Sequence, residues 1–363
     1  MLERLPLVYV AALTLTLLLP TNRGRALAGI GLCLIALAAA GDAVGGRGGG
    51  SQFTATNEGL AVVGAAVVVA ALLLVAGHRL QCRVPPRPLE THPVPAADAG
   101  DALLFAGFLL GALGPHLLLV ALGVAVSLAG AIRRVIRARS ALWLGPLLVA
   151  GALFAIGFAL IFTILGPLGG ALAILSAGPV SPAAERLLVM LMGSSVLLIA
   201  GLPPLARAPY RLGLAPLGAV LIARILAPAF PGGFTDWQPL AMLLLVASLS
   251  YAAFTRRWAH VAAAAGFLAL WSGERTGVRA GLVLVCWGWA VSAGTLVLAR
   301  RGIRLDSRWA GLPALIPGLA ILPALVATLR SQVVLSVVAL LVLAMGLGRA
   351  ALGDRPADAA PLY

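Results

Sequence analysis

Acid–base chemistry in this chain would have to run on four histidines and twelve acids, because all 26 Lys-or-Arg positions are arginine. Arginine stays protonated at any physiological pH and offers no exchangeable proton. A buried lysine, by contrast, can switch charge when a paired carboxylate moves or titrates, which is how lysine–carboxylate relays work. That chemistry has no lysine here. The carboxylates are also scattered: Glu58, Asp101, Glu185, Asp236, Glu274 and Asp306 lie in loops or at the edges of apolar runs, with Asp42 closest to a run's interior.

Three residues are candidates for a proton path. Arg224 is the one charge embedded in an apolar run, Leu217–Leu226. It reads as a fixed cation in a hydrated cavity, or as a side chain snorkelling to a nearby interface, which Pro228 favours. His260 follows Arg256-Arg257-Trp258-Ala259 and His116 follows Gly114-Pro115, so both sit at the edges of apolar runs. Either could titrate near neutral pH, although an edge histidine is more often a hydrogen-bonded structural residue. There is no Ser/His/Asp grouping, phosphate-binding glycine loop or Cys/His metal spacing, so no catalytic residue, metal site or cofactor is expected. Cys33, Cys82 and Cys286 lack a pairing pattern and read as free thiols.

The elements that would position these residues follow from composition. Hydrophobic residues make up 61% of the 363 and charged ones 10%, and the mean hydropathy is +1.05, which excludes an ordinary soluble domain. The expected fold is an all-α polytopic membrane protein, since lipid forces each span to satisfy its own backbone. Apolar runs broken by Arg, Pro, Gly or Asp mark thirteen spans. They run near 5–19, 26–44, 59–77, 102–113, 116–132, 141–168, 187–202, 212–229, 239–255, 258–271, 278–299, 309–328 and 333–347. Loops alternate in arginine content, nineteen on one side against six on the other. The positive-inside bias then puts the N-terminus outside and the C-terminus in the cytoplasm of a bacterial-type inner (plasma) membrane. Trp237, Trp258, Trp271 and Trp309 fall at span ends, as interfacial anchors would. The net charge of +14 is thus a topology signal, and nothing in it resembles a nucleic-acid patch.

Prolines add a second pattern. Pro203-Pro204 interrupts the seventh span, and Pro313, Pro317 and Pro323 divide the twelfth. Breaks five spans apart suggest two inverted five-helix repeats with discontinuous helices 7 and 12. The organisation becomes a three-helix segment and loop over 1–101, repeats over 102–232 and 233–348, and a cytoplasmic tail over 349–363.

In these features the chain resembles the antiporter-like subunits of respiratory complex I, a family shared with Mrp-type antiporters and membrane-bound hydrogenases. Ala141–Leu168 looks like that family's sixth helix, and Leu197–Pro204 like the approach to its proline-marked break. Gly218-Ala219-Val220-Leu221-Ile222-Ala223-Arg224 is similar to the end of its eighth helix. Ala290–Leu298, Trp309-Ala310-Gly311-Leu312 and Ile316-Pro317 look like its eleventh helix, linker and twelfth-helix start. The resemblance implies a place among other membrane subunits of a multi-subunit, ion-translocating complex. The chain departs from the family at its proton carriers. The fifth-helix glutamate falls at Ala125, the seventh-helix lysine at Leu198 and the eighth-helix lysine near Pro216. The eleventh-helix histidine and lysine fall near Trp289 and Ala293. The expectation is a degenerate, structural member with no catalytic activity of its own. The competing expectations are an independent carrier of a small substrate, a residual proton or cation channel, and a membrane enzyme acting on lipid-linked substrates.

The topology is checked by thiol labelling. Cys82, in the 78–101 loop, should react with a membrane-impermeant reagent only from the cytoplasmic side.

Overall fold

Two short polar signals and a series of long apolar runs account for the helices. The structure is a computed structural model, and it describes residues 117–137, 144–165, 180–201, 211–254, 258–274, 276–278, 280–286 and 288, with isolated positions in 103–111 and 333–345. All of the described elements are helices. They are α1 (Leu117–Arg137), α2 (Leu144–Leu165), α3 (Pro182–Val196), α4 (Arg211–Leu221), α5 (Pro231–Phe254), α6 (Trp258–Trp271) and α7 (Thr276–Cys286). Three stretches are long and apolar enough to cross a membrane: Leu144–Ile164 in α2, Pro182–Ile199, which continues α3 past Val196, and Pro231–Phe254, the whole of α5. The first three expected spans, the twelfth, and the 78–101 loop lie outside the described residues.

Helix starts follow local chemistry more closely than hydropathy does. The seventh span was expected from 187, yet α3 begins at Pro182 because Ser181 caps it and accepts from the Ala184 amide. Proline at the first helical position costs nothing, since that N–H has no helical partner anyway. The ninth span was expected from Pro239; α5 instead starts eight residues earlier, at Pro231, and carries Pro239 inside it. The fifth span extends through its terminal arginines to Arg137. The tenth, Trp258–Trp271, matches its expected bounds.

Neighbouring helices pack in sequence, α1 on α2, α2 on α3 and α5 on α6, while α5 returns to pack on α3. Along α1 the buried positions Leu117, Val120, Val124, Leu128, Ala131 and Val135 recur at three- or four-residue spacing, the stripe a packed helix needs. The opposite faces of α1, α2 and α5 expose Leu118, Leu148, Ile156 and Leu243, as surfaces meeting lipid chains would.

Water-driven burial does not hold helices together inside a bilayer, so close contact through small residues does. Ser127 on α1 donates to the Leu104 carbonyl at 3.2 Å, and Gly107, Gly111 and Gly123 clear the way for that approach. Between α6 and α7, a Cβ on Gly266 would stand 2.8 Å from the Gly281 carbonyl oxygen. Ser195 on α3 donates to the Ala150 carbonyl of α2 at 2.8 Å, a bond closed to solvent.

Gly266→Val should therefore destabilise the protein by about 1–3 kcal/mol through overpacking, read as a lower melting temperature in detergent. Gly145→Ala, where a Cβ meets nothing within 4 Å, should leave it unchanged or slightly raised.

Candidate functional site

A helix that passes from α to π geometry inserts a residue into its turn and shifts the hydrogen-bond register, a distortion that recurs at functional sites. Two helices do this here. The α3 ladder runs into a π segment, Leu197–Gly201, where the Leu197 amide is shared between the Gly193 and Ser194 carbonyls. Following α4, the segment Ile222–Leu226 is π-helical, with the Ala227 amide bonding the Ile222 carbonyl, and one further turn, Ala227–Ala229, ends the rod. Pro216 lies within α4 and is buried there. The α3 π segment packs on α4, and α6 packs on both π segments. The distortions thus meet around α6.

Of the expected site residues, Arg224 lies in the second π segment, half-buried and engaged with its surroundings. His260 lies near the start of α6, where its Nε2 is 3.1 Å from the Ser248 Oγ of α5. Pro203 and Pro204 fall just beyond the first π segment and outside the described residues, as do His116, Pro313, Pro317, Pro323, Trp289 and Ala293. Where the family resemblance puts proton carriers, Ala125 is exposed on α1 and Leu198 is half-buried in the first π segment.

The densest polar construction among the described residues involves other side chains. At the end of the bundle where α3 and α5 begin, the Gly232 amide donates to the Glu185 Oε1 at 2.8 Å. An acid accepting from the first turn of a helix also meets the positive end of its dipole. Arg186 pairs with Asp236 beside it; the two side chains are 66% and 50% exposed, so this ion pair contributes little to stability. One to two turns deeper, Phe234 stacks on Trp271 with centroids 4.6 Å apart and rings 5° from parallel. Gln238 Nε2 donates to the Trp271 carbonyl at 2.8 Å, satisfying one of the acceptors a helix leaves unpaired at its C-terminus. Ser272 then donates to the Ala269 carbonyl at 2.6 Å and accepts from the Glu274 amide at 3.3 Å. Gly273 closes the turn at φ +70°, a conformation glycine adopts without steric cost.

Two donors in this construction have no acceptor: the indole Nε1 atoms of Trp237 and Trp271, both buried. The two rings converge on Gly193 of α3, where an added Cβ would stand 2.9 Å from Trp271 Cη2 and 3.5 Å from Trp237 Cδ1. A buried donor without a partner costs about 1–3 kcal/mol. Sequence reasoning placed both tryptophans at membrane interfaces. The structure corrects this for Trp271, which is 0% exposed because α5 starts early and covers it. The missed signal was the Ser181-Pro182 and Pro231 pair of helix starts, which sets α3 and α5 deep enough to enclose Trp271.

The remaining buried polar side chains among the described residues are Ser127, Ser195, Gln238, Ser248 and Ser272, and each makes a hydrogen bond to a neighbour. No group of three or more His, Cys, Asp or Glu able to hold a metal occurs among the described residues. No protein-family model matches the chain, and no curated protein matches it.

Replacing Gln238 tests the construction directly. Gln238→Leu keeps the volume but strands the Trp271 carbonyl, so a loss of about 1–3 kcal/mol is expected, read as a lower melting temperature in detergent.

Proposed function

We propose that this chain is a structural, antiporter-like subunit of a larger ion-translocating membrane complex, of the kind that includes complex I, hydrogenases and Mrp-type antiporters. Its part is to seal the membrane arm and dock neighbouring subunits, with thirteen spans arranged as a three-helix segment followed by two inverted five-helix repeats. The observation that carries this reading is the chemistry of the buried polar groups. Among the described residues they are serines and one glutamine, which bond neighbouring backbone or side chains, and two indoles; none of these relays a proton through a change of charge. The lysine-free sequence supports it independently. The π segment leading to Pro203-Pro204 fits a scaffold whose helix 7 keeps a distortion after the carriers are gone.

His260 is the titratable group to test, because the hydroxyl of Ser248 lies within hydrogen-bond distance. Proteoliposomes containing the chain alone should show no proton flux driven by a pH gradient, and His260→Ala should change nothing beyond a small loss of stability. Robust flux abolished by His260→Ala would replace the structural reading with that of a channel. Substrate uptake by the same vesicles would favour an independent carrier.

A further inference from the structure

Of the two buried indole donors, Trp271 lies beneath a part of the fold that is built to move and Trp237 is carried on it. Gln238 reaches the last carbonyl of α6 from seven residues into α5. At 1.5 Å per residue, the α6–α7 turn is therefore recessed about 10 Å below the start of α5. Covering that recess are the first two turns of α5, Pro231–Gln238. Their base is Pro239, which has no N–H to give to the Thr235 carbonyl, so the helix ladder is interrupted where the two turns join the rest of α5. Their tip is Gly232-Gly233; lacking a Cβ, Gly233 fits against the Glu185 backbone and Gly232 against the Glu185 carboxylate. Their polar attachments to α3 are the Glu185–Gly232 bond and the solvent-exposed Arg186–Asp236 pair, beside the packing of Gly233 on Glu185 and of Trp237 by Gly193. Beneath them, Phe234 lies on Trp271 and over Gly273, whose added Cβ would be 3.4 Å from the Phe234 ring.

We propose that Pro231–Gln238 is a gate hinged at Pro239, which swings from α3, carrying Trp237 with it, to open a water-filled cleft floored by Trp271 and Ser272. Closure leaves two indole donors without acceptors. Opening lets water accept from both, so the hydrogen bonding lost on closing is regained on opening. The closed state is held by the aromatic stack, by Gln238, and by the two contacts from Glu185 and Arg186. A closed state that combines unsatisfied donors with an exposed latch is a two-position element, and any ligand that binds the open cleft would shift it. The gate does not depend on the scaffold reading and would serve a carrier equally well.

Thiol accessibility at the cleft floor is the test. Cys33, Cys82 and Cys286 are replaced by alanine, and Ser272→Cys is introduced in the full-length protein in lipid nanodiscs. The rate of reaction with a small water-soluble methanethiosulfonate is then measured. Ser272 is buried in the closed state, so labelling reports opening. Asp236→Asn or Arg186→Ala should raise the rate several-fold, and Pro239→Ala, which restores the missing ladder donor, should lower it several-fold. Ser195→Cys, buried between α2 and α3, should stay unreactive in every background. The two latch variants change exposed side chains, so they read the gate even where Pro239→Ala misfolds. A Ser272→Cys thiol that never reacts would overturn the gate. So would a rate indifferent to the latch and hinge variants, or one that rises together with Ser195→Cys.

Discussion

Every polar group that this chain takes out of water must find its partner inside the protein, because a lipid environment supplies none. That constraint organises most of what the structure contains. The helices answer it for the backbone, and serines answer it at helix contacts: Ser127 on Leu104 and Ser195 on Ala150. Even the end of α6 is handled this way, with Gln238 reaching across to the Trp271 carbonyl. These bonds need helices close enough for a short side chain to bridge them. The glycines at 107, 111, 123, 266 and 281 provide that approach. Hydrogen bonding and small-residue packing are thus one device.

Against this economy, the exceptions carry the functional argument. Two π segments depart from the regular ladder in helices that pack around the same partner, α6. Two indole donors go unsatisfied at the end where the polar contacts between α3 and α5 are a carboxylate–amide bond and an exposed ion pair. The first π segment lies in the seventh expected span, just before Pro203-Pro204, and the second in the eighth, where no break was expected. The indoles lie where no resemblance pointed, and they suggest that part of the bundle opens.

Arginine is the basic side chain throughout. In a relay protein the loss of lysine removes the exchangeable charge, whereas arginine continues to set topology and to snorkel. A sequence whose only Lys-or-Arg residue type is arginine can therefore set its topology without offering lysine's exchangeable proton.

By itself the sequence determined the helical class, a membrane-compatible helix within 141–168 and apolar helices near 116–132, 212–229 and 258–271, because hydropathy is a local property. It also determined the absence of lysine, and with it the proton chemistry the chain cannot perform. Other features depended on tertiary structure. The true starts of α3 and α5 rest on Ser181, Pro182 and Pro231, whose capping chemistry a hydropathy pattern does not register. The burial of Trp271 depends on α5 beginning eight residues before the expected Pro239 and stacking Phe234 on the indole. The pairing of Ser248 with His260 and of Gln238 with Trp271 joins residues 12 and 33 positions apart. Such contacts are set by how helices cross, and the periodicity of one helix holds no information about the rotation of its neighbour.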